Sequence, residues 1–146
     1  MTPADQIKTL IADYQSLAFE MLDLLKAKVN QGEIDVTRYE ERSGSFNDQN
    51  NRQIKYALHG SGCLFILNER INVDIDFAGP RYDTIDFYFL FYYFNSCAVN
   101  YPEIKNEDQL RQCMDELVKA EYLLKEGHNM YYLKSAFDHP KEFEWR

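Results

Sequence analysis

The hexapeptide LHGSGC, residues 58–63, sets a histidine and a cysteine four positions apart, with Gly60 and Gly62 between them. A thiol beside an imidazole is the pairing that nucleophilic cysteine chemistry uses, the imidazole serving as base. The spacing imposes a geometric condition. On one extended strand His59 and Cys63 would stand about 13 Å apart at ~3.3 Å per residue. Only a tight turn or bulge at Gly60-Ser61-Gly62 would bring them face to face across a ladder. The competing reading is structural: the glycines allow close backbone approach, His59 serves local polar groups, and Cys63 opens a buried strand. The run Leu64-Phe65-Ile66-Leu67 favours the structural reading, because reactive thiols need a positive, partly exposed setting. In the catalytic alternative, Cys63 is the nucleophile, His59 the base, and Asp76 orients the imidazole.

Asp74 and Asp76, in VDIDF, form a second chemistry-bearing pair. They share one face of an alternating strand, about 7 Å apart by the same rise. With His59 they offer ligand types acceptable to a hard or borderline metal, and by themselves they could serve as an acid–base pair. The sequence contains no HxxxH, CxxC or HExxH spacing, and its histidines, His59, His128 and His139, are dispersed. A solvated acidic strand face is the simpler account, and no metal is expected. No phosphate loop, dinucleotide fingerprint or GxSxG nucleophile elbow occurs, so no cofactor is expected either.

Charge then narrows the class of partner. A formal net charge of -8 opposes sequence-independent binding to nucleic acid and docking on anionic lipid, both of which depend on Lys and Arg. It favours a basic protein partner. The acids that stand out for such a contact are Glu40, Glu41, Asp74, Asp76, Asp83 and Asp86. Aromatic residues make up 15% of the chain, so acids beside exposed tyrosines would form a patch suited to a basic surface. The odd, scattered cysteines, Cys63, Cys97 and Cys113, read as reduced thiols. The first residues lack a signal-peptide pattern, and FYFLFYYF at 87–94 is too short to cross a bilayer. A cytoplasmic location is expected.

The elements that must position these residues follow from periodicity. Residues 3–31 read as one long helix, with Thr2 as cap, Pro3 in the first turn and Gly32 as the stop. Its stripe runs from Ile7 through Leu10, Ile11, Tyr14, Met21 and Leu25 at helical spacing. IDVTRY at 34–39 suggests a short strand, and the polar stretch 40–53 suggests a mobile loop. Strands follow around Ile54–Leu58, Cys63–Leu67 and Ile71–Phe77, an antiparallel meander closed at Gly79-Pro80. The aromatic segment 83–97 reads as a buried helix capped by Asp83. Asn106 caps an amphipathic helix that Gly127 should end, and MYYL at 130–133 could add a strand. The whole is an α+β fold in one domain, 1–146: an antiparallel β-meander packed against a long N-terminal helix and two further helices.

The order of LHGSGC, an apolar strand, VDIDF and an Asp-led aromatic helix resembles an uncharacterised bacterial domain family with a His-Gly-x-Gly-Cys motif. The resemblance covers about residues 54–95. It implies a small cytoplasmic protein from polymorphic-toxin settings with a role in immunity, and it brings no chemistry with it. In that view His59, Gly60, Gly62 and Cys63 are a structural motif. The expected function is therefore a toxin-neutralising immunity protein that binds and occludes a basic toxin domain without turnover. A small cysteine-dependent enzyme using Cys63 and His59 is the alternative, and whether the protein is a monomer or a homodimer is open.

Overall fold

The structure, a computed structural model, describes residues 2–37, 41–60, 62–68, 71–77, 84–96 and 104–135. Helix α1 (Pro3–Asn30) begins with a reciprocal cap. The Thr2 hydroxyl oxygen accepts from the Asp5 N–H at 3.2 Å, and the Thr2 hydroxyl donates to the Asp5 carboxylate at 2.8 Å. The Thr2 hydroxyl, and after it the Thr2 N–H, donate to the Asp5 carboxylate and hold it below its ordinary value. The helix stops at Gly32, whose φ of +77 closes the last turn while the Glu33 N–H bonds back to the Lys28 carbonyl. Strand β1 (Arg42–Asn47), β2 (Gln53–His59), β3 (Gly62–Ile66) and β4 (Asn72–Asp76) follow and pair in sequence order as an antiparallel meander. Next come β5 (Thr84–Asp86), helix α2 (Phe87–Ser96), helix α3 (Glu107–Lys119), β6 (Leu123–Glu126) and β7 (Met130–Leu133). The last three strands form a second antiparallel sheet in the order β5-β7-β6. The class is α+β.

Two compact units emerge, and α1 contributes to both. One contains α1 from Ser16 onward and the meander. Its buried side chains include Met21 and Leu25 from the helix, and Ile54, Leu58, Cys63, Phe65, Val73 and Ile75 from the strands. The alternation in β4 is complete, with Val73 and Ile75 buried and Asp74 and Asp76 exposed. The other unit contains α1 up to Gln15 and the described residues from Thr84 on. Ile7, Leu10, Ile11, Phe87, Leu90, Leu110, Met114 and Tyr131 are among its buried side chains.

Four expectations about elements need correction. The polar stretch 40–53 is not a single loop, because residues 42–47 form β1, opposite β2 in the register Gly44↔Tyr56 and Phe46↔Ile54. The described part of 34–39 is not a strand; the Asp35 carboxylate accepts from the Thr37 N–H at 2.9 Å and closes a turn there. The aromatic segment opens with β5, so α2 starts at Phe87 and Asp86 is its cap, the Asp86 Oδ1 accepting from the Tyr88 N–H at 2.9 Å and the Phe89 N–H at 3.1 Å. Asp83 lies outside the described residues, as do the Gly79-Pro80 break, Cys97 and residues 136–146. Finally, α3 ends at Lys119 and not at Gly127. Glu121 takes the left-handed position with φ 62, and the Tyr122 N–H bonds to the Leu117 carbonyl. Gly127, φ +69, serves the turn between β6 and β7. Asn106 caps α3 as its sequence suggests, accepting from the Gln109 N–H at 2.9 Å.

Candidate functional site

LHGSGC spans the end of β2 and the start of β3, and the register between the two strands decides what the motif can do. Leu58 pairs with Cys63, and His59 pairs with Gly62. Directly opposed residues in an antiparallel ladder share a face, and neighbours along a strand alternate. Leu58, Cys63 and Ile75 therefore point into the core, and all three are buried. His59, Gly62, Asp74 and Asp76 belong to the outer face. The turn brings His59 and Cys63 close in the chain, yet their side chains leave the sheet on opposite sides. Cys63 has no exposed surface, and burial, followed by the charge of Asp74, pushes its thiol up to about 12. That is the setting of an inert thiol.

His59 reaches the other way. Its Nε2 lies 2.8 Å from the Asp74 Oδ1, with the two side chains 41% and 45% exposed. The pair is diagonal: Asp74 sits opposite Leu64, two residues beyond Gly62. The imidazole crosses the sheet over Gly62. A methyl group built on Gly62 would meet the His59 Cε1 at 3.0 Å and collide with the backbone carbonyl oxygen of Ile75. The missing Cβ thus makes room both for the ring and for the close approach of β4. Gly60, exposed, follows directly on β2 in the turn. The outer face so built carries a hydrogen-bonded His–Asp pair and a second carboxylate, Asp76, directly opposite Gly62. Among the described residues no group of three His, Cys, Asp or Glu side chains could hold a metal ion.

The six acids singled out for partner contact have different fates. Asp74 and Asp76 are exposed together on β4. Glu41 is exposed just ahead of β1. Glu40 and Asp83 lie outside the described residues. Asp86, half-buried, spends its carboxylate on the N-terminus of α2.

Sequence reasoning missed a cluster in the other unit. The Tyr88 hydroxyl donates to the Glu107 Oε1 at 3.0 Å, and this bond raises the Tyr88 pKa. Arg111 stacks over the Phe87 ring, 3.9 Å from its centroid, and donates to the His128 carbonyl at 2.8 Å. It also stands 3.7 Å from Glu107, one helical turn back. The visible signal was the Glu107/Arg111 spacing of four at the start of an amphipathic helix.

No helix among the described residues is long and apolar enough to cross a membrane. A family model described as "Domain of unknown function (DUF6896)" matches residues 7–133. The match reaches well beyond 54–95, and takes in α1 from Ile7, both sheets and both later helices. No curated protein and no solved structure matches the chain.

Proposed function

The chain belongs to the DUF6896 family, a match that carries no function with it, and we propose on other grounds that it is a toxin-neutralising immunity protein, a non-catalytic binder that occludes a basic toxin domain. The supporting observation is the outer face of the meander, where Asp74 and Asp76 stand exposed on one strand of a chain with a net charge of -8. Carboxylates held on a sheet lose little conformational entropy when a partner's cations arrive, and the field of the whole chain steers that encounter. The His59 bridge fixes the direction of Asp74. The step from basic partner to toxin rests on the resemblance of LHGSGC and the segments after it.

The cysteine-enzyme alternative requires Cys63 and His59 on one face, and the β2–β3 register gives it no support. The test of the proposal is binding to cationic toxin domains encoded beside the gene. A tight complex and rescue of growth on co-expression are expected, with an association rate at least about tenfold lower in high salt than in low salt. Equal rates at both salt levels would remove the electrostatic basis of the proposal, and covalent change of the toxin would replace occlusion by turnover.

A further inference from the structure

We propose that the outer face of the meander seats an amphipathic basic helix of the protein partner, with an apolar side chain on Leu64 and Ile66 and a Lys or Arg beside it on Asp74 or Asp76. This rests on the reading of the chain as a binder of basic proteins, and it names the shape and chemistry of the segment bound. Strand β3 is apolar on both faces. Cys63 and Phe65 fill the inner face and are fully buried. Leu64 and Ile66 alternate with them and stay half-buried, so an apolar strip runs down the face that carries the acids. A strand face turned only to solvent carries polar residues, as β1 does with Ser43 and Ser45 and β4 with Asp74 and Asp76.

The neighbours of the strip select its occupant. Towards β4, Leu64 is paired with Asp74 and Gly62 with Asp76. Towards β2, Leu64 is paired with Ala57 and Ile66 with Lys55. The face is therefore polarised, with carboxylates along β4, apolar side chains along β3 and a cation on β2. The bond from His59 engages the Asp74 Oδ1 and leaves that side chain 45% exposed. Directly opposed side chains on an antiparallel ladder stand about 5 Å apart. A partner that touches Leu64 and Asp74 together needs an apolar and a basic residue at that separation. Residues three or four apart on a helix supply it, at about 5–6 Å, whereas alternate residues of an extended strand are about 7 Å apart. Lys55 sets the orientation, because it repels a helix whose basic side is turned towards β2. An uncharged helix would desolvate the carboxylates without pairing them. A second copy of the chain is disfavoured, since it would bring a net charge of -8 to an acidic face.

The test uses the intact chain and two fluorescein-labelled peptides of identical Leu, Lys and Ala composition, read by fluorescence anisotropy. In one, leucines recur at three and four residues with lysines along one flank of the stripe. In the other, the same residues are reordered so that the leucines surround the helix. The amphipathic peptide is expected to bind at least about fivefold more tightly and to keep more of its binding in high salt. Leu64→Thr and Ile66→Thr, which suit a strand and remove apolar surface, should each cut that preference by about half or more, with circular dichroism showing both variants folded. Asp74→Asn with Asp76→Asn should weaken both peptides and leave the preference for the amphipathic one intact. Equal affinity of the parent chain for the two peptides, or folded Thr variants that keep the full preference, overturns the apolar seat and leaves the acidic-binder reading standing. Binding of neither peptide overturns both.

Discussion

Thiol labelling of Cys63 tests the chemistry that the hairpin register opposes. The side chain has no exposed surface, and its thiol is raised from 9.0 to about 12. At pH 8 a thiol at 9.0 is about one-tenth thiolate, whereas one at 12 is about one ten-thousandth, a ratio of roughly a thousand. Alkylation consumes the thiolate, so direct attack in the folded state is slowed by about that factor. Attack through opening is slowed as well: an opening free energy of ~5 kcal/mol costs between three and four powers of ten in rate. The assay uses a Cys97→Ala, Cys113→Ala chain, in which Cys63 is the only thiol, with iodoacetamide at pH 8 and intact-mass readout. Labelling in buffer should be at least about a thousandfold slower than in denaturing urea. The shift also couples to stability. The unfolded chain loses this proton near 9 and the folded chain holds it to about 12. Its contribution is therefore complete below pH 9 and is lost as pH rises from 9 to 12. Native labelling within minutes, with a pH midpoint below 8, would refute the reasoning and restore the cysteine-enzyme reading.

Two further substitutions test the backbone geometry. Gly62→Ala should destabilise the chain by about 1–3 kcal/mol, because the added methyl meets the Ile75 carbonyl of a paired strand. Gly44→Ala should lose less than about 1 kcal/mol, since the nearest atoms its methyl meets belong to the far end of the Tyr56 side chain and not to backbone. Urea midpoints that fall equally for the two would contradict the role given to Ile75. Glu121→Gly should raise stability by about 1 kcal/mol, by relieving a left-handed residue at the end of α3. A lower thermal midpoint would show that the Glu121 side chain contributes more than its backbone costs.

Local signals made the two amphipathic helices legible. Thr2, Gly32 and Asn106 act at their own positions, and the stripes of Ile7–Leu25 and Leu110–Leu117 need no distant partner to be read. The errors fall where long-range pairing decides. Residues 42–47, RSGSFN, are too polar and small to read as a strand. They become one because β2 offers its edge and Tyr56 covers Gly44, and a polar edge strand is a common protection against further pairing. Thr84–Asp86 is a strand through its partners Met130–Tyr132, far along the chain, so the cap moves from Asp83 to Asp86. Glu121 occupies a position where glycine is the usual choice, and the next glycine drew the helix boundary six residues too far. Of the acids chosen from sequence, alternation correctly displayed Asp74 and Asp76, while Asp86 proved to be a cap.

The ambiguity of LHGSGC lay in the strand after it. Cys63, Leu64, Phe65 and Ile66 are apolar at every position, so β3 could turn either set inward without offending the hydrophobic effect. A one-residue slip would pair His59 with Cys63 and place both on one face. Two neighbours argue against that slip. In β4, Val73 and Ile75 must be buried and Asp74 and Asp76 must not, and their partners Phe65 and Cys63 are thereby drawn inward. Gly62 adds the second constraint, since only a residue without Cβ fits below the His59 ring and against the Ile75 carbonyl. The slipped register would move that gap into the core, where it fills no space, and put the bulk of Cys63 below the imidazole. The acids of β4 thus keep the cysteine and the histidine apart, and the same acids form the face assigned here to a basic partner.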